Sequence, residues 1–334
     1  MSHKKLYLTL DTETATLPFA NDICKTAEEK QKVSIAKPLV YDLGWVITDR
    51  QGNILKKVNY LINEIFFVPQ IFNTAYYKEK KQLYLDKIKS GEIIQVNWDT
   101  AIRELLKDIQ LCDVCTAFNA CFDFKKAIPF TERYINAFYS PYYADWINIQ
   151  QKSVEKILNG KKNEQAKNPD YLNTIVKLRD IEFLVTDLRY LACNQLVNNR
   201  NYKNFCIDNE LFSKSGLFFS TTAESIYKYL MQDIDFIEQH TALDDSIIES
   251  YILTKLLKKG KLQITLEPFA ERQLDYIFKF KANQDRKSII KSQLENYIEN
   301  NGGFDEPKNF YVKRMINIYQ NFWKSYWQIK KYMI

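Results

Sequence analysis

From the first residues of the chain, apolar and polar positions alternate. Leu6, Leu8 and Leu10 take turns with Tyr7, Thr9, Asp11 and Glu13, the period-2 pattern of a β-strand. Strand patterns also cover 41–48 and 54–62. They are joined through Asp49-Arg-Gln-Gly-Asn53, a hairpin connection with Gly and Asn at its tight positions. Between the first two strands, 19–37 is polar and reads as a loop with a short helix around 26–32; after the third, 66–91 is aromatic and basic. The period then lengthens. Ala101, Ile102, Leu105, Leu106 and Ile109 predict a helix over 98–109, with Asn97 or Asp99 as its cap. A short buried strand at 114–118 follows, then a helix that starts near 120–123 and continues through 134–138. The expected opening is βββαβ, with the first three strands antiparallel.

Further along, 153–177 is the most charged and least periodic stretch and reads as a surface insertion. Helices are expected over 186–196 and 221–231, the second opened by a capping box in Thr221-Thr-Ala-Glu224. The last helix of this region covers 243–259, with an apolar stripe at 243, 247, 248, 251, 252 and 256 and a stop at Lys258-Lys-Gly260. Beyond it the character changes. Residues 307–334 hold six basic residues, eight aromatic ones and no acid, and Val312, Met315, Ile316, Tyr319, Phe322, Trp323, Tyr326 and Ile329 recur at helical spacing. The expected organisation is an α/β domain over 1–258 and a basic, aromatic, mainly helical extension over 259–334.

Composition narrows the function classes. At 334 residues and 46% hydrophobic, the chain can bury a full core. No stretch approaches the roughly 20 apolar residues of a bilayer span, and the N-terminus lacks the apolar core of a signal peptide. A cytoplasmic protein without a membrane partner is therefore expected. Cys112 and Cys115 have zinc-like spacing but no second pair, so the six cysteines read as buried thiols. No glycine-rich nucleotide motif is present. The net charge of +6 suits a polyanionic partner.

Three segments carry candidate chemistry. Asp11-Thr-Glu13 ends the first strand with both acids on one face, about 6.6 Å apart along it. Carboxylates so placed repel each other unless a cation lies between them. In Asn119-Ala-Cys-Phe-Asp123 an Asn closes a buried strand and an Asp opens the next helix. In His240-Thr-Ala-Leu-Asp-Asp245 a loop histidine precedes an acid in the first turn of a helix. Each segment alone has a bland reading as a solvated strand end, a cap or an acid favoured by the helix dipole.

Taken together, Leu10-Asp11-Thr12-Glu13-Thr14, Asn119-x-x-Phe122-Asp123 and His240-x-x-x-x-Asp245 resemble the motifs of the DEDDh, or DnaQ-like, 3′-to-5′ exonucleases of the ribonuclease H-like fold. The resemblance spans about 5–258, and the His-Thr-Ala-Leu-Asp-Asp run looks most like bacteriophage and prophage members. It implies that Asp11, Glu13, Asp123 and Asp245 hold two Mg²⁺ or Mn²⁺ ions and that His240 is the general base, swinging in from a mobile loop. Its implied reaction is removal of nucleoside 5′-monophosphates from 3′ ends. Single-stranded DNA is the expected substrate, RNA the alternative, and replication proteins are possible partners. A rival of another class is a non-catalytic nucleic-acid-binding replication accessory protein. Spacing from His240 selects Asp245 over Asp244. Thr12, Thr14, Leu17, Asn119 and Phe122 are the expected substrate contacts. Tyr76 and Tyr77 read as core residues, with base stacking as the alternative. Asp187 reads as structural, and His3 as a residue of a frayed terminus rather than the base.

Overall fold

The computed structural model describes residues 5–160, 173–196, 199–212 and 219–259. His3 and the expected helical extension beyond Lys259 lie outside these residues. The chain divides into two compact units, the first within Met1–Gln195 and Thr222–Glu271, the second within Leu196–Thr221 and Arg272–Ile334.

The first unit is α/β, a mixed seven-stranded sheet flanked by helices. Its strands are β1 Leu6–Ala15, β2 Leu39–Asp49, β3 Ile54–Ile62, β4 Ile94–Val96, β5 Val114–Ala117, β6 Asn173–Leu178 and β7 Ile181–Asp187. Their order across the sheet is β4-β3-β2-β1-β5-β7-β6. β1, β2 and β3 are antiparallel neighbours, β5 runs parallel to β1 and β7 parallel to β5. The β2–β3 hairpin closes as its residues dictate. Asp49 Oδ1 accepts the backbone N–H groups of Gln51 (2.9 Å) and Asn53 (3.0 Å), while Gly52 takes the positive φ of 90°.

The two faces of the sheet are covered differently. Leu10 is paired with Trp45, whose Nε1 donates to Asp108 Oδ2 (2.8 Å) on the helix Trp98–Leu111, so that amphipathic helix covers this face. Asn97 caps it by accepting the Thr100 N–H, one of the two caps the sequence offers. The opposite row, with Thr9, Asp11 and Glu13, lies opposite Val46, Gly44 and Asp42. Across β1 and β2 on this side packs the closing helix, Ala242–Lys259. A row that alternation marks as polar is therefore enclosed, and Thr9 and Thr116 satisfy each other's hydroxyls at 3.0 Å beneath it.

Several expectations need correction. β4 intervenes between β3 and the helix Trp98–Leu111, so the opening is not strictly βββαβ. The helix expected from 186 begins at Leu188, because Thr186 and Asp187 pair with β5 and end β7. The helix Ala223–Met231 is capped by Thr222, which accepts the Ser225 N–H, so Thr221 does not open a capping box with Glu224. The stretch 153–177 is not one irregular insertion. Its start belongs to the helix Tyr143–Leu158 with Val154 buried, its end is β6, and 161–172 lie outside the described residues. In the second unit, Asn199 caps the helix Arg200–Asp208, and Tyr202 donates its hydroxyl to the Ser220 carbonyl (2.6 Å). Among the described residues, no helix is long and apolar enough to cross a membrane.

Candidate active site

β1 supplies the fixed part of the site. Asp11 and Glu13 project from its row under the closing helix, just before a register shift between Glu13 and Thr14. The helix is seated by β2. Asp42 Oδ2 accepts the Ala242 N–H (2.9 Å) and the Tyr84 hydroxyl (2.9 Å), while Asn59 donates to Oδ1. Accepting a free N–H at the helix start fixes where the helix begins, and these bonds partly offset the burial that raises the Asp42 pKa to about 6. Gly44 allows the approach: a Cβ there would lie 2.3 Å from the backbone of Ala242 and Leu243. Ser246 then donates to both Gly44 O (2.9 Å) and Ala242 O (2.7 Å). One turn into the helix, Asp245 meets the strand acids, and ligand oxygens of Asp11, Glu13 and Asp245 all lie within 4.8 Å of one another.

Asp123 lies outside that close set. It is buried at the start of a π-helical turn, Asp123–Ala127, and its Oδ1 accepts the Thr12 hydroxyl at 2.6 Å. Asn119 precedes it in a left-handed conformation (φ 78°), which Asn tolerates better than most residues. Asp187, also buried, accepts the Tyr190 N–H (3.0 Å) as a cap, which agrees with a structural reading. Glu249, four residues beyond Asp245, is a buried acid that motif spacing does not single out. It accepts the Phe118 N–H (3.1 Å) and so ties the end of β5 to the closing helix.

Burial and mutual repulsion push these acids upward. Burial raises Asp11 well above the usual carboxylate range, and the charges of Glu249, Asp123, Asp245 and Glu13 add to it. Burial also raises Glu13, with Asp245 and Asp42 adding and Lys80 opposing. Asp123 rises to about 7, chiefly by burial, against the lowering hydrogen bond from Thr12. Asp245 rises to about 8 by burial and then by Glu238. Asp245 Oδ1 is buried with no hydrogen-bond partner among the described residues. Such an orphaned acceptor is costly, and a cation is the natural complement to converging carboxylate oxygens, which are hard donors.

The histidine loop is pinned. His240 takes a positive φ of 52° and stacks on Tyr77, with ring centroids 4.8 Å apart and planes 13° from parallel. Lys80 lies over the same Tyr77 ring at 4.3 Å, and its ammonium donates to the carbonyls of Gln239 and His240 (3.2 Å to the latter). His240 Nδ1 is 3.6 Å from Glu238 Oε2 and 3.9 Å from Asp245 Oδ2, and Glu238, His240 and Asp245 form a second group able to hold a metal ion. Burial and then Lys80 lower the His240 pKa.

Of the residues expected at the site, Asp11, Glu13, Asp245 and His240 come together, with Asp123 linked to them through Thr12 and charge. Asp244 turns away to Lys87 (2.7 Å) and Thr241. Leu17 has 0% exposure and belongs to the core. Thr12 is buried and spends its hydroxyl on Asp123. Thr14 and Phe122 are part-buried, and Asn119 is exposed. Tyr76 is 80% exposed, which overturns its reading as a core residue. Sequence reasoning missed Asp42, Lys80, Glu238 and Glu249. Only Glu249 left a signal, the helical i, i+4 spacing from Asp245. Neither Cys112 nor Cys115 belongs to a converging ligand set among the described residues. Comparison with family models, curated proteins and solved structures finds no match to this chain.

Proposed function

We propose that the chain is a metal-dependent 3′-to-5′ exonuclease of the DEDDh type, built on a ribonuclease H-like sheet. One observation carries the reading: acids from β1 and from the closing helix converge within 4.8 Å, beside a histidine, around a buried carboxylate oxygen that lacks a partner among the described residues. The strand order β3-β2-β1-β5-β7, with three antiparallel and then parallel strands, supports the fold assignment. Asp11, Glu13 and Asp245 would hold Mg²⁺ or Mn²⁺, with Asp123 completing a two-ion set. When bound, such ions lower the pKa of water and offset the charge of a scissile phosphodiester.

The chain's own residues supply the rest. Thr12 orients Asp123, and Asp42 and Gly44 fix the helix that presents Asp245. His240 accepts the proton of the attacking water. Its Nδ1 faces Glu238 and Asp245, which leaves Nε2 for that proton. A lowered pKa keeps the ring neutral near pH 7, the form a general base needs.

Product analysis tests the assignment. Single-stranded DNA and RNA of matched sequence are incubated with Mg²⁺, with Mn²⁺ or with chelator, and the released nucleotides are separated. The expected products are nucleoside 5′-monophosphates, in metal only and favouring DNA. Nucleoside 3′-monophosphates, or release that persists in chelator, would contradict it.

A further inference from the structure

The segment between β3 and the helix Lys81–Ser90 presents two adjacent tyrosines in different roles. Tyr77 is committed inward: its ring stacks on His240 and lies under Lys80. Tyr76 packs against it at right angles (centroids 4.8 Å apart, planes 89°) and is 80% exposed, more than any other large apolar side chain in the described residues. An exposed ring alone is ordinary. This one is held one ring away from the histidine of the site. It also precedes the turn Lys78-Glu79-Lys80, followed by Lys81, in which the Lys78 side chain is half exposed and lies 4.0 Å from the Glu79 carboxylate. A rigid aromatic face next to cations matches a base and its phosphate in one strand.

We infer that Tyr76 is a stacking platform for an unpaired nucleobase of the strand whose 3′ end enters the carboxylate site. The inference rests on the nuclease reading and adds to it a residue that would bind the strand. Stacking accepts any base, because every base has a π-face, but it needs that face uncovered. Single strands and frayed ends therefore dock on Tyr76, and the faces of bases inside a duplex do not. Because Tyr76 abuts Tyr77 and Tyr77 abuts His240, a base seated there is placed at a fixed distance from the histidine.

The test is binding, read by fluorescence anisotropy of 5′-labelled single-stranded oligonucleotides on the full chain, with Ca²⁺ in place of Mg²⁺. One oligonucleotide is intact and the others carry a single abasic residue at successive positions from the 3′ end. Tyr76→Ala is expected to weaken binding of the intact strand by about 5- to 150-fold, the range of base–aromatic stacking. Tyr76→Phe, which keeps the ring, is expected to restore it. In wild type one abasic position should weaken binding, and in Tyr76→Ala that penalty should vanish. Affinity of Tyr76→Ala within twofold of wild type, or an abasic penalty unchanged by the substitution, would overturn the platform. Melting curves of both variants guard against misfolding, which an exposed position makes a small risk. Turnover plays no part in the binding readout and is followed separately with Mg²⁺. A wild type that binds but never shortens DNA would sink the exonuclease reading alone, and an active wild type with an unaffected Tyr76→Ala variant would sink the platform alone.

Discussion

Asp245 is buried, has one oxygen without a partner among the described residues, and brings a carboxylate oxygen within 4.8 Å of those of Asp11 and Glu13. Its charge is tolerable only with a proton or a cation. The consequence for stability follows from linkage. A carboxylate at about 4 in the unfolded chain and at about 7 (Asp123) or about 8 (Asp245) in the folded one binds more protons when folded. Its contribution is present below about pH 4 and is lost as pH rises through 7 to 8. The metal-free protein is therefore expected to melt lower at pH 8 than at pH 5.5, and Mn²⁺ or Mg²⁺ should raise the melting temperature more at pH 8 than at pH 5.5. Equal melting at both pH values would show that the acids do not hold protons. Glu249→Gln keeps an acceptor for Phe118 and removes one charge from the cluster. It should flatten the fall in melting temperature with pH. His240→Ala should slow nucleotide release by about 10²- to 10⁴-fold while Mn²⁺ binding, followed by calorimetry, persists. An unchanged rate would remove His240 as the base.

The closing helix is the element on which the site depends, and Gly44 is the position that lets it dock. A methyl group on Gly44 has nowhere to go, since backbone rather than a flexible side chain stands 2.3 Å away. Gly44→Ala should destabilise by about 1–3 kcal/mol, or about 2–4 °C of melting temperature for each kcal/mol, and should lower activity by displacing Asp245. Full activity with an unshifted melting curve would contradict the docking. The periodicity of this helix was readable, yet its buried side was misjudged. Ser246, Ser250 and Thr254 are buried as well as Ile248 and Ile252, because their hydroxyls bond back to helix carbonyls and their small size permits close approach to the sheet. β4 went unseen because three residues, Ile94-Gln95-Val96, are too few to show an alternation. The hairpin and the helix Trp98–Leu111 were legible because turn chemistry and capping are local.

Across the whole molecule, the acids and the histidine could be picked out because each ends or opens a regular element and their order is distinctive. What holds them was not legible. Lys80 reaches His240 across 160 positions of sequence, and Asp42 reaches Ala242 across 200. No local pattern encodes such contacts. They also add to the picture of the histidine, expected on a mobile loop: its ring stacks on Tyr77 and its carbonyl accepts from Lys80. The central claim is that this assembly removes nucleotides from 3′ ends with the help of a divalent cation held by Asp11, Glu13 and Asp245. The most direct measurement is a time course on one single-stranded DNA labelled at its 5′ end, with Mg²⁺ or chelator, for wild type and Asp11→Asn. The account predicts a ladder shortening stepwise from the 3′ end, for wild type with Mg²⁺ only. An intact strand under those conditions, internal cuts without a ladder, or equal shortening by Asp11→Asn would contradict it.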